Sequence, residues 1–348
     1  MKKVILLTIS IICILFLSCK SKINESNKIS DQIKRNIQQA NFLEDIFSVK
    51  ILLLNDVPNQ RIGEVSGRIK LGKNGEFFFD DLEGGLFKYS KDGVFIKRLK
   101  KNGSGPGEYK SIEDFCLNDS NHVFIKNGSS KYVLEYDDNF NFLCSHKIDT
   151  FIPITNMIYK NNRFYLYSPA GMQKGLCYIY NEDWELIQRF YEGDEVGLKY
   201  ARPFLGLSGC FILGDKIVLY QSTRLAFSIY DLNGKFDKEI TPNRNFSIPE
   251  TKVRPFDRNI KINLIEFAYS LTSKLILYEI MNPKSQETWD IIDLEGNIIK
   301  KNLKRKNNSG MFANLNNYKF AKLEQVEDRK KRILTQIIIY TLKNHEEK

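Results

Sequence analysis

Histidine is scarce in this sequence: 348 residues contain three, His122, His146 and His345. So few leave little material for a Ser/His/Asp constellation, and no short spacing among them forms a metal-ligand cluster. Cysteine is sparse and never occurs as CxxC. Of six, Cys13 and Cys19 lie near the N-terminus, and Cys116, Cys144, Cys177 and Cys210 fall in apolar, strand-like runs. Four cysteines permit two disulfides, but this setting reads as buried free thiols. No nucleic-acid recognition motif is present, so the basic balance does not point to DNA or RNA. The apolar run Val4 to Leu17 is too short and wrongly flanked to span a membrane.

That run, behind Met1-Lys2-Lys3, has the basic head and short hydrophobic middle of a secretory signal. It ends in Phe16-Leu17-Ser18-Cys19, which resembles the bacterial lipobox. The resemblance implies cleavage after residue 18, acylation of Cys19 and anchoring on a Gram-negative outer membrane, with the face undecided. The alternative is a plain secreted protein with an incidental cysteine. Without residues 1–18 the chain keeps 50 basic and 42 acidic side chains, a net +8 that suits an anionic bilayer surface or an anionic ligand. Residues 19–45 are polar and read as lipidated cysteine and tether, with a weak helical pattern over Ile33 to Phe42.

What is abundant is aromatic and β-branched: 17 Tyr and 24 Phe within 42% hydrophobic residues favour a β protein with a large core. One figure recurs. Tyr89-Ser90-Lys91-Asp92-Gly93-Val94-Phe95-Ile96 returns at Tyr136, Tyr180, Tyr230 and Ile292, at spacings of 47, 44, 50 and 62 residues. Each copy reads as a β-hairpin with Asp, Asn or Gly in the turn. Within one period four strands are legible, as in Val65 to Leu71, Glu76 to Asp80, Leu86 to Tyr89 and Val94 to Leu99. A four-stranded antiparallel unit at this period is a propeller blade.

The last copy, around Gln336 to Leu342, runs out before a following strand can form, while Phe47 to Leu54 is a strand with no hairpin partner. Pairing the two closes a ring. The expected architecture is therefore all-β: a six-bladed β-propeller over residues 46–348, four antiparallel strands per blade, completed by the N-terminal strand.

The stretch Gly103-Ser104-Gly105-Pro106-Gly107-Glu108-Tyr109, after Asp92-Gly93-Val94-Phe95-Ile96-Lys97-Arg98-Leu99, resembles the six-bladed propeller lipoproteins with NHL-like repeats of Gram-negative gut bacteria. The likeness covers nearly the whole chain. Asn139-Phe140 and Asp183-Trp184 depart from it by lacking the turn glycine, and extra residues lie between Ile240 and Ile262.

Candidate site residues gather on inter-blade joints and inner strands. Glu108 and Tyr109 sit in a glycine-rich loop whose amides can hold an anion, or the carboxylate of Glu108 itself. Arg202 and Arg254 begin the repeated triplet Arg-Pro-Phe and can form a basic rim for a carboxylate, sulfate or phosphate. Glu113, Asp114, Asn156, Glu266 and Asn314 are channel-lining candidates, as wet polar lining or, under an enzymatic alternative, as calcium ligands of a hydrolase or lactonase. No catalytic residue or resident cofactor is expected. The reading is a lipid-anchored envelope module that binds an anionic small molecule, a glycan or an envelope protein.

Overall fold

In the computed structural model the recurring figure folds as a side-chain-capped turn. Asp137 Oδ1 accepts hydrogen bonds from the backbone N–H of Asn139 and Asn141, both at 2.8 Å. Asp231 does the same for Asn233 and Lys235, and Asp293 for Glu295 and Asn297. Ser90 serves the first copy through its hydroxyl. Local capping of this kind closes the hairpin without tertiary help. The fifth turn position has positive φ throughout: Gly93 at 82°, Phe140 at 60°, Trp184 at 60°, Gly234 at 81° and Gly296 at 84°. A Cβ on Gly93 would stand 2.7 Å from the Leu53 carbonyl, so that turn admits only glycine. Phe140 and Trp184 bear the left-handed conformation because their rings fill space against the preceding blade, on Phe78 and on Phe124. The two departures from the repeat are thus packing residues.

The structure describes residues 32–55, 62–128, 130–148, 154–168, 177–191, 208–221, 224–243, 264–281, 287–306, 312–316 and 318–343. They form six four-stranded antiparallel sheets. Blade 1 is β2 (Val65–Leu71), β3 (Phe77–Asp81), β4 (Leu86–Tyr89) and β5 (Phe95–Leu99); blade 2 is β6 (Ile112–Leu117), β7 (Val123–Asn127), β8 (Tyr132–Tyr136) and β9 (Phe142–Lys147). Blade 3 is β10 (Asn156–Lys160), β11 (Arg163–Tyr167), β12 (Cys177–Tyr180) and β13 (Leu186–Phe190); blade 4 is β14 (Ser208–Leu213), β15 (Lys216–Gln221), β16 (Arg224–Asp231) and β17 (Phe236–Ile240). Blade 5 is β18 (Leu264–Thr272), β19 (Leu275–Met281), β20 (Glu287–Asp293) and β21 (Ile298–Leu303). Blade 6 is β22 (Ala313–Asn316), β23 (Lys319–Glu327) and β24 (Ile333–Leu342), and its outermost strand is β1 (Phe47–Leu53).

β1 pairs antiparallel with β24, Phe47 opposite Leu342 and Leu53 opposite Gln336, so the ring closes as the broken last repeat implied. One apolar core fills each gap between adjacent blades. Middle strands are covered on both faces, which is why Phe77-Phe78-Phe79 and Leu86-Phe87 are buried without alternation. Outer strands such as β5 and β9 meet solvent and carry charges.

The C-terminal part of the expected tether, residues 32–45, is packed on the propeller. Residues 32–39 are helical, and Ile33, Ile37, Ala40, Leu43 and Ile46 are buried in the core between blades 5 and 6. Their spacing of three and four residues puts one apolar stripe on Leu271, Leu303 and Phe312. The stripe is short, and polar neighbours dilute it in the sequence. Cys144 is a second correction: it is exposed on β9, while Cys116, Cys177 and Cys210 are buried free thiols. The expected signal and Cys19 lie outside the described residues.

Candidate functional site at the ring centre

The innermost strands β2, β6, β10, β14, β18 and β22 pack on one another in turn around the ring. Their polar side chains form a chain of blade-to-blade joints. Arg68 on β2 pairs with the fully buried Asp80 on β3 and also crosses to blade 2, donating to the carbonyls of Ile112, at 3.0 Å, and Glu113. Ser66 donates its hydroxyl to the same Asp80. Burial pushes the Asp80 carboxyl above its ordinary 3.8, with Arg68 and Ser66 pulling it back.

Glu113 and Asp114 continue the chain. Glu113 lies 3.2 Å from Lys126 Nζ and accepts the Ile154 N–H of blade 3 at 3.2 Å. Burial holds the Lys126 ammonium below its usual range, opposed by Glu113. One oxygen of Asp114 accepts the Met157 N–H at 2.6 Å, and the other lies 3.8 Å from Lys70 of blade 1. Asn156 accepts the Cys210 N–H of blade 4 at 3.4 Å, and Asn314 donates to the Ser270 carbonyl of blade 5 at 3.3 Å. The structure therefore places Glu113, Asp114, Asn156 and Asn314 at joints between neighbouring inner strands, where they tie the blades together. Calcium would need carboxylate oxygens that both Glu113 and Asp114 give to lysines and backbone amides. Glu266 lies on β18 with its side chain outside the described residues, as do Arg202 and Arg254 entirely.

The glycine-rich loop turns inward on itself. Glu108 Oε2 accepts the Gly105 N–H at 2.9 Å, and a Cβ on Gly103 would collide with that carboxylate at 1.9 Å. Tyr109 is fully buried and donates its hydroxyl toward the carbonyls of Gly84, at 2.8 Å, and Leu99, at 3.2 Å. Tyr136 donates to the Gly107 carbonyl at 2.8 Å. The expected ligand role of Tyr109 is thus replaced by a core role: it pins the blade 1 to blade 2 crossing, and burial drives its phenol far above the usual range.

A second cluster was not legible as a site. His122 Nδ1 lies 2.8 Å from Glu135 Oε1, and His146 Nε2 lies 2.7 Å from Glu135 Oε2. Cys144 Sγ lies 3.3 Å from His146 Nε2 and 3.4 Å from Glu135 Oε2. Burial raises the Glu135 carboxyl less than the two histidines and Cys144 lower it, so it is held below its ordinary value. Burial and the Glu135 carboxylate push the Cys144 thiol up to about 11. The signal available was Cys144-x-His146 on a strand, which puts both side chains on one face, opposite a glutamate one hairpin earlier.

Six four-stranded blades, a ring closed by the N-terminal strand and inner strands tied by polar joints define the class as a six-bladed β-propeller. The chain belongs to the DUF5128 family, described as 6-bladed beta-propeller, whose model matches residues 19–257. No curated protein matches the sequence. Among solved structures it is similar to a Bacteroides fragilis protein described as exported, at 13% identity and TM-score 0.62, covering 86% of this chain and 96% of that one. A DUF4221 family member from Bacteroides vulgatus matches at 10% identity and TM-score 0.55, covering 84% and 96%. Virginiamycin B lyase from Staphylococcus aureus matches at 8% identity and TM-score 0.50, covering 85% and 99%. At such identities the shared property is the fold.

Proposed function

We propose that this protein is a lipid-anchored propeller of the outer membrane that acts as a binding module for an anionic small molecule, a glycan or an envelope protein. The observation that carries this reading is where the chain enters the fold. Cys19 precedes the packed helix by 13 residues, so an acylated Cys19 would hold the propeller within about 45 Å of the bilayer. The entry segment is ringed by cations. Lys300 donates to the Gln38 carbonyl, Lys306 pairs with Asp45 at 2.7 Å, Lys343 donates to the Asp45 carbonyl, and Leu43 donates to the Lys304 carbonyl. Lys301 and Lys304 are exposed beside them. Basic side chains at the point of attachment contribute about 1 kcal/mol each near an anionic membrane surface. The exported neighbour from Bacteroides fragilis is in keeping with an envelope address.

A binding role, rather than hydrolysis at the ring centre, is supported by the engagement of Glu113 and Asp114 in blade-to-blade joints. Two measurements test the reading. Cys19→Ala should leave the melting temperature unchanged, abolish incorporation of labelled fatty acid and move the protein from the membrane to the soluble fraction. Wild-type protein that takes up no label yet sediments with membranes would refute the anchor. Stoichiometric metal binding that disappears in Glu113→Gln or Asp114→Asn would overturn the binding reading in favour of a metal-dependent hydrolase.

A further inference from the structure

We infer that His146, Cys144 and Glu135 form a zinc-binding site in the crevice between blades 2 and 3, with His122 as the outer hydrogen-bond partner of Glu135. The donor atoms of the three first-named residues all lie within 4.8 Å of one another. Zinc bonds of about 2.0–2.3 Å at tetrahedral angles separate donors by roughly 3.4–3.6 Å. The sulfur-to-nitrogen and sulfur-to-oxygen separations, 3.3 and 3.4 Å, are near that already. Only the His146 to Glu135 pair, at 2.7 Å, must widen, because a hydrogen bond now holds it.

The donors are also pre-placed. Glu135 and Cys144 are directly opposite in the β8/β9 ladder, and His146 follows Cys144 by two residues on the same face. The His146 ring is stacked on Trp184 of blade 3, centroids 5.2 Å apart and planes 18° from parallel, which fixes its orientation. His122 reaches the other oxygen of Glu135 from just before blade 2's second strand, so that an imidazole outside the donor set holds the carboxylate in place. The His146 and Glu135 side chains keep 19% and 16% of their surface exposed, and Cys144 is exposed, so an ion can enter from solvent. A thiolate, an imidazole and a carboxylate suit zinc among the borderline cations and exclude calcium and magnesium, which take oxygen donors. Three protein ligands leave a fourth position for water or for a donor from a bound partner.

The test is titration of the purified full chain with zinc chloride and, separately, cobalt chloride. One equivalent of zinc should bind, and cobalt should give a thiolate-to-cobalt charge-transfer band with the visible bands of tetrahedral coordination. Cys144→Ser should abolish the charge-transfer band and weaken zinc by more than about 100-fold, and His146→Ala should do the same to affinity. His122→Ala should weaken it by about 10- to 100-fold. Cys144 and His146 lie on the outer strand β9 and the His122 side chain is part-exposed before β7, so metal-free melting of all three variants should match the parent; a variant that melts early is replaced by Cys144→Ala or His146→Gln. No stoichiometric binding, or binding untouched in both Cys144→Ser and His146→Ala, would overturn the assignment. Binding lost only in Glu113→Gln would also overturn it, because the ion would then sit at the ring centre.

Discussion

Removing residues 1–31 leaves the melting temperature unchanged, removing residues 1–46 lowers it by about 5–10 °C, and removing residues 1–54 leaves a chain that aggregates instead of unfolding cooperatively. The three cuts separate the residues before the helix, the docked helix and the closing strand. The first touches no described contact. The second removes Ile33, Ile37, Leu43 and Ile46, each contributing about 1.5–3 kcal/mol when fully buried, partly offset by the entropy of ordering the segment. It also uncovers Leu271, Leu303 and Phe312 at the edge of the blade 5 and 6 core. The third strips the ladder from Phe47–Leu342 to Leu53–Gln336, removes Leu52 and Leu54 from the core between blades 6 and 1, and exposes the whole edge of β24. Calorimetry with light scattering checks it. Equal melting of the second and third truncations would mean that β1 does not close the ring.

Arg68→Met destabilises the protein by about 3–5 kcal/mol, and the double variant Arg68→Met with Asp80→Leu recovers most of that loss. A buried ion pair broken on one side costs far more than one replaced on both, because the remaining charge has lost its partner in a low-dielectric site. Asp80 is fully buried, and its described counter-charge is the Arg68 guanidinium, which also ties blade 1 to the Ile112 and Glu113 carbonyls. The sign of the pH dependence follows from the same geometry. A carboxyl raised above its ordinary 3.8 by burial favours the folded state less when ionised, so its cost is relieved as pH falls through its folded value. Removing Arg68 removes the opposing pull. The single variant should therefore regain stability as pH falls from neutral toward the ordinary carboxyl value, more steeply than the wild type. Glu135, held below its ordinary value, acts in the opposite direction and loses its contribution at still lower pH. Denaturant unfolding at several pH values reads both effects; a single variant within 1 kcal/mol of wild type would show that Asp80 finds other compensation.

The hairpin figure and its period were enough to derive the fold, because an Asp-capped turn and an apolar strand are determined by residues within a few positions of each other. The closing strand was equally legible: a last repeat without its outer strand and a first strand without a partner have one mutual solution. Tertiary structure alone decided the rest. Whether Glu113 and Asp114 line an open wall or join blades depends on the amides of Ile154 and Met157, which only the packing of blade 3 on blade 2 brings beside them. The weak helical pattern over Ile33 to Phe42 does form a helix, over residues 32–39, but that it packs on the propeller was decided by the gap between blades 5 and 6 that it fills. Cys144 belongs to an apolar-looking run, but its strand is outermost, so its face meets solvent and a histidine pair instead of core. The local chain encodes each blade; the polar side chains that tie one blade to the next take their roles from neighbours forty or more residues away, where no spacing rule reaches.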